Sequence, residues 1–270
     1  MDPPAVKRAV VVNLHPGSYE VSSIPRGYVL IINVEKYESD SERKGSTLDA
    51  QRLRKLFEDL GFNVFVYKDL NSREMRRTIK NFAAMEEHKF VHTAVLVILA
   101  HGNEGEIEAS DGNHVAVREV LEYFNSQKCP NLYGKPKLII FQACRGSTID
   151  GSYLTKDGVA LRTDSTGASM SKYKNNEPLY PDFVIAYPTV AGYAAWRAED
   201  NGAPFIRKLE EVFRKEVCSK QVDDMLRVVT KIISERPVVE LEDDEKTFQT
   251  SQLESTLRKP FFLFTDGLIF

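Results

Sequence analysis

The sequence has few cysteines, a single tryptophan and no excess of positive charge. Its 270 residues include three cysteines and one tryptophan, and the net charge is -3. Cys129, Cys144 and Cys218 are odd in number and far apart. That suits free thiols in a reducing compartment better than a disulfide framework, so a cytoplasmic location is expected. Without concentrated Lys and Arg, neither nucleic acid nor a membrane surface is expected as a partner. No apolar run approaches the ~18 residues of a spanning helix. The opening Met1-Asp-Pro-Pro-Ala-Val-Lys-Arg8 lacks the apolar core of a secretory signal. Internal repeats and low-complexity tracts are absent. Gly102-Asn-Glu-Gly-Glu106 lacks the helix and lysine of a phosphate loop. His88 and His92 stand i, i+4 apart, but no third ligand accompanies them, so no metal is expected.

What is present is ordinary globular material, 42% hydrophobic and 28% charged, long enough for one large domain or two small ones. Residues 1–25 are Pro-bearing and irregular and read as a short leader. Gly27–Val34 reads as a buried strand and Glu35–Gly45 as a charged loop. Ser46 or Thr47 is placed to cap a helix in which Leu48, Leu53, Leu56, Phe57 and Leu60 recur near 3.6 spacing, and Gly61 stops it. Phe62–Tyr67 follows as a strand, and Asn71 or Ser72 opens a helix to about Glu86. Thr93–Ala100, the longest apolar run, reads as a central parallel strand. Asp111-Gly112 predicts a hairpin before a short helix over Val117–Phe124. Leu138–Phe141 is the next buried strand. Residues 147–181 lose all apolar periodicity and form a long loop, which inside a compact domain points to function or disorder. A strand over Phe183–Tyr187, helices over 203–217 and 221–235, an acidic loop over Glu240–Lys246 and a terminal strand over Lys259–Phe264 complete the chain. This order implies an α/β fold with a mostly parallel sheet covered by helices on both faces.

Two strand ends carry reactive side chains: Ala100-His101-Gly102 and Gln142-Ala143-Cys144-Arg145-Gly146. Sites in open α/β sheets form just beyond the carboxyl ends of strands. Alone, a cysteine at a strand end is more often buried and inert than reactive. A thiol becomes a good nucleophile when a base or positive charge lies beside it, and His101 supplies either if the two strands are neighbours. The backbone N–H groups of Gly102 and Cys144 are placed to form an oxyanion hole.

Gln142 to Gly146 matches at every position the caspase signature Gln-Ala-Cys-[Arg/Gln/Gly]-Gly, which has its histidine about 50 residues upstream. The sequence resembles a caspase from about Arg26 to Phe264. Arg26-Gly-Tyr-Val-Leu-Ile-Ile-Asn33 is similar to the family's first strand. Arg43-Lys-Gly-Ser-Thr-Leu-Asp-Ala50 is similar to its arginine-bearing loop and helix start, and Tyr193-Ala-Ala-Trp-Arg-Ala198 to its Tyr-x-Ser-Trp-Arg segment. The resemblance implies a six-stranded, mostly parallel sheet in a three-layer αβα sandwich. It implies a cysteine endopeptidase cleaving after aspartate, with Cys144 as nucleophile and His101 as the acid that protonates the leaving amine. Arg43, Gln142 and Arg197 would bind the P1 aspartate carboxylate, a task suited to the bidentate guanidinium fork. Trp196 and Tyr193 would line the adjoining substrate pocket. No metal or organic cofactor is implied.

By the same resemblance the chain is a zymogen, cut in the 147–181 linker at Asp164, Asp150 or Asp157. Residues 26–164 would form the large subunit and 165–270 the small one, together one catalytic unit. Protein substrates, a homodimer of large–small pairs joined through the terminal strand, an upstream activating protease and a role in cell-death signalling are expected. The leader is too short for a death-fold recruitment domain. Ala100, Ala195 and Ala198 depart from the family pattern. Pro204 stands where executioner members carry a tryptophan that walls the distal pocket, so weak selection for an acidic P4 residue is expected. The alternative is a caspase-like regulator that binds an active partner and cleaves little.

Overall fold

The structure, a computed structural model, describes residues 17–39, 42–147, 178–237, 239–240 and 246–263. The processing candidates Asp150, Asp157 and Asp164 lie outside the described residues, as does most of the 147–181 linker.

Continuous β-branched and aliphatic runs make the central strands. β1 (Gly27–Asn33) is followed by helix α1 (Ser46–Asp59), β2 (Asn63–Lys68), α2 (Ser72–Ala83) and β3 (Thr93–Leu99), whose seven residues are all buried. A small sheet of β4 (Gly102–Asn103), β5 (Glu106–Glu108) and β6 (His114–Ala116) then leads to α3 (Val117–Glu122) and β7 (Lys137–Gln142). Beyond the linker come β8 (Phe183–Tyr187), α4 (Pro204–Glu216), α5 (Val222–Ser234), the two-residue strands β9 (Val239–Glu240) and β10 (Lys246–Thr247), and β11 (Gln252–Ser255). Among the described residues no helix is long and apolar enough to cross a membrane.

The main sheet has six strands in the order β11-β8-β7-β3-β1-β2, parallel throughout except for β11. Strand alternation divides its side chains between two cores. Val29, Ile31, Val95, Val97, Leu138 and Ile140 pack beneath α1, α4 and α5. Leu30, Ile32, Leu96, Ile98, Ile139 and Phe141 pack beneath α2 and α3. The result is a three-layer αβα sandwich, and strands from both sides of the linker share one sheet.

Three expectations need correction. The sixth strand is not Lys259–Phe264. It is β11, and the described part of the later segment carries no strand. Phe261 and Leu263 are fully buried in the chain's own core, where Phe261 meets Tyr19 edge to face and its carbonyl accepts the Val222 N–H at 2.8 Å. Helix α1 is preceded by Gly45 in the left-handed conformation (φ 84°), with no side-chain cap. Ser46 is buried and Thr47 donates instead to Glu35. The acidic segment 240–246 is entered and left by the paired strands β9 and β10. By contrast Asn71 caps α2 in a reciprocal box with Glu74, as expected, and the hairpin at Asp111-Gly112 forms between β5 and β6.

Candidate active site

β3 and β7 are adjacent and parallel, with Leu99 opposite Gln142. His101 and Cys144 therefore each lie two residues past a paired position, at the carboxyl ends of neighbouring strands that run ~4.8 Å apart. Gly102 makes this approach possible. A Cβ there would sit 2.7 Å from the Glu106 carbonyl oxygen and 3.1 Å from that of Cys144. The Cys144 thiol also faces the Trp196 loop: its sulfur lies 3.4 Å from the Ala195 amide nitrogen and 3.8 Å from the Ala195 oxygen.

The His101 main chain is held by Tyr37, which lies in the charged segment after β1. The His101 N–H donates to the Tyr37 hydroxyl at 2.7 Å, and the two rings lie 4.7 Å apart. Burial, followed by the positive charges of Arg43 and Arg197, pushes the imidazole down to about 4. His101 is thus neutral across the physiological range.

Arg43 is 1% exposed. Its Nη1 donates to the Val34 carbonyl at 3.0 Å and its Nη2 to that of Gln142 at 3.4 Å, while Nε has no protein partner. Burial and the neighbouring Arg197 pull its pKa down to about 10. Arg197 donates through Nε to the Lys44 carbonyl at 2.8 Å, and burial lowers its pKa too. The Gln142 side-chain oxygen is buried without a partner. Two guanidiniums, both lowered by burial and one of them further by the charge of the other, stand beside a thiol and leave the site with a deficit of negative charge. A carboxylate is the ligand that corrects it.

The sequence-predicted residues are therefore brought together, with Trp196 and Tyr193 on the loop whose Ala195 meets the Cys144 sulfur. The Trp196 N–H donates to Gln249 Oε1 at 2.9 Å, and buried Gln249 in turn donates to the Pro188 carbonyl at 2.8 Å. The Trp196 ring nitrogen is buried without a partner. Tyr193 contributes its backbone: its carbonyl accepts the Arg145 N–H at 3.0 Å, and the Gly192 N–H donates back to Arg145 at 2.7 Å. Gly146 is needed beside this ladder, because its φ is +154° and a Cβ would lie 2.2 Å from the Gly192 oxygen. Arg145 spreads over the Tyr187 ring at 4.0 Å and its Nη1 donates to Gln252 of β11, bracing the Cys144 turn from behind. Gln249 and Tyr37 carried no motif that marked them in the sequence, and Arg145 stood in the Gln142–Gly146 signature without an assigned role. His88, one of the two spaced histidines, is fully buried with Nε2 2.8 Å from the Phe82 carbonyl oxygen.

Residues 26–262 match the sequence model of the family described as Caspase domain. The chain is 31% identical over 260 residues to "Caspase-2" of Gallus gallus, covering 92% of this chain and 60% of that protein. It is 33% identical over 235 residues to "Caspase-1" of Drosophila melanogaster, covering 86% and 69% respectively. The crystal structure of Caspase-1 from Spodoptera frugiperda superposes with a TM-score of 0.79 at 27% identity, covering 96% of this chain and 99% of that one.

Proposed function

The chain belongs to the caspase family of cysteine proteases, and from that premise we propose that it is an active endopeptidase that cleaves protein substrates after aspartate. The observation that carries this reading is the deficit of negative charge beside the thiol: Arg43, lowered by burial and by Arg197, and Arg197, lowered by burial, with Gln142 buried two residues before Cys144. In this reading Cys144 attacks the carbonyl carbon of the aspartate, and the backbone N–H groups of Gly102 and Cys144 receive the developing oxyanion. His101, neutral in the free enzyme, takes the thiol proton and delivers it to the leaving amine as the C–N bond breaks. Water then hydrolyses the thioester and restores the thiol. Selectivity follows from buried donors. A substrate without the carboxylate leaves the guanidiniums unpaired, and a site built to bond a polar group rejects analogues that lack it. Trp196 and Tyr193 bound the next pocket.

The same reading extends to regulation and assembly. The chain is a cytoplasmic zymogen of cell-death signalling, cut in the 147–181 linker, with Asp164 first and Asp150 and Asp157 as further sites. Residues 26–164 and 165–270 are the resulting large and small subunits. β11 lies at the sheet edge with no strand beyond it among the described residues, which supports pairing with a second copy there rather than through the buried Phe261–Leu263 segment. The test is cleavage of a positional peptide library by enzyme titrated at Cys144 with an aspartyl electrophile. Aspartate is expected before the scissile bond, with no strong preference for an acidic residue at P4. Absence of labelling at Cys144, or no preference for aspartate, would overturn the reading and favour a regulator that cleaves little.

A further inference from the structure

Arg197 and Arg43 arrive at the site from opposite sides of the linker, so something must register the two loops. We propose that Asp49 is the positioning residue that does so: its buried carboxylate latches the loop carrying Arg197 onto the helix that begins beside Arg43. The proposal rests on the carboxylate-binding role given above to the two arginines, and it adds how they are held together.

Asp49 lies in the first turn of α1, six residues after Arg43, and is fully buried. Both its oxygens face one donor across the linker, the Ala203 N–H, at 3.0 and 2.9 Å. Ala203 is the residue before α4, whose first position is Pro204. The approach is possible only because Gly202 has no side chain: a Cβ there would lie 2.1 Å from Asp49 Oδ1. Gly202 in turn closes a tight turn with Ala198 through two mutual backbone bonds of 3.0 and 2.9 Å, and Arg197 is the residue before Ala198. The line from Asp49 through Ala203, Gly202 and Ala198 to Arg197 is thus short and rigid.

Neighbouring contacts follow the same seam. Gly45 lies against the Ala198 carbonyl, where a Cβ would come within 2.4 Å, and Arg197 Nε bonds the Lys44 carbonyl. Arg52 donates to the Asn201 carbonyl at 2.7 Å. Of these groups Asp49 alone is both charged and fully buried. It is also the one carboxylate whose charge acts on both Arg43 and Arg197. The other charges facing it are Arg52 of its own helix, at 3.6 Å, and through Arg52 the Glu210 carboxylate of α4. Burial drives the Asp49 carboxyl up to about 6. An acid that resists ionisation is poorly explained by stability alone, and this one sits where the pocket's two halves meet.

The test uses the full-length processed protein with active sites titrated, so that only folded enzyme is counted. Asp49→Ala removes the acceptor. We expect KM for an aspartyl peptide to rise at least tenfold with kcat within threefold, and the preference for aspartate over glutamate before the scissile bond to shrink. Asp49→Asn keeps one oxygen for the Ala203 N–H and should return KM to within about threefold of wild type. Gly202→Ala, which thrusts a methyl into the same oxygen, should reproduce the Asp49→Ala change with residue 49 still aspartate. A titratable Asp49→Ala enzyme with unchanged KM would overturn the proposal, and so would an Asp49→Asn enzyme as impaired as Asp49→Ala. If the unaltered enzyme has no preference for aspartate, the functional reading fails instead.

Discussion

Replacing Arg43 by methionine should make the protein no less stable and nearly inactive. The guanidinium is 1% exposed and its pKa falls from 12.5 to about 10 through burial and the charge of Arg197. For a base held down in the fold, the charged form carries the cost at every pH below the folded value, so the cost is fully present at pH 7. A shift of that size corresponds to about 3 kcal/mol. Methionine keeps the apolar stem and removes the charge. It also deprives the Val34 carbonyl of its main donor, at a cost of roughly 1–2 kcal/mol. The Gln142 carbonyl still has the Ala100 N–H at 3.2 Å. The balance is about 1–2 kcal/mol in favour of the variant, a rise of a few degrees in Tm for a chain of this size. Activity moves the other way. Two charge-assisted bonds to a substrate carboxylate, at roughly 1.5–3 kcal/mol each, correspond to about a hundredfold or greater loss in kcat/KM. Thermal unfolding beside titrated kinetics on an aspartyl peptide measures both. An Arg43→Met enzyme that melts several degrees lower, or keeps kcat/KM within tenfold, refutes the argument.

Three further outcomes follow from named groups. With His101 pushed down to about 4, the acid limb of kcat/KM, which reports the free enzyme, should lie near that value. The limb of kcat should lie higher, because a bound carboxylate offsets the two arginines; a kcat/KM limb at an ordinary imidazole value would contradict this. Gly146→Ala places a Cβ 2.2 Å from the Gly192 oxygen, so labelling of Cys144 by an aspartyl electrophile should drop more than tenfold while the rest of the chain stays folded by circular dichroism. Lys137, 2% exposed at the amino end of β7, is pushed down to about 8, so its buried charge costs stability below pH 8 and the cost disappears as pH rises towards 10.5. Lys137→Met also strips the Nζ bonds to the Leu132 and Lys135 carbonyls, at 3.1 and 2.8 Å, so its Tm relative to wild type should be higher at pH 7 than at pH 10, with kcat/KM unaltered; an equal difference at both pH values would rule out the charge as cause.

How much of this was legible in the sequence depends on which residues face the core. β1, β3 and β7 are buried on both faces, so their apolar runs announced them and placed His101 and Cys144 at strand ends. β11 is Gln-Leu-Glu-Ser, and no composition rule marks it. It is a strand because β8 offers it an edge, and its partner contacts are backbone bonds indifferent to side chains. Phe261 to Leu263 reads as a strand for the opposite reason: apolar density reports burial, and here burial is achieved by an irregular segment packed under α5. The α1 start misled because Ser and Thr are common caps, whereas close packing of Gly45 on Ala198 required a residue without a side chain. Asp49 stood in the sequence only as one unmarked residue of the Arg43–Ala50 segment. Its partner is 154 positions away, a distance no local pattern spans.

The electrostatics of the site have one consistent sign. Arg43 and Asp49 are each displaced against their charged forms, His101 is held neutral, and in all three burial is the leading cause. The pocket is therefore a place where the fold has accepted unfavourable charge, and a bound carboxylate relieves the part that comes from the two arginines. The relief is not confined to binding. The same carboxylate lifts the depression on His101, which must carry a proton between thiol and leaving amine. A peptide with asparagine in place of aspartate matches the shape, yet leaves both arginines unneutralised and His101 harder to protonate. Its handicap should appear in kcat as well as in KM, which uniform loss of binding would not produce.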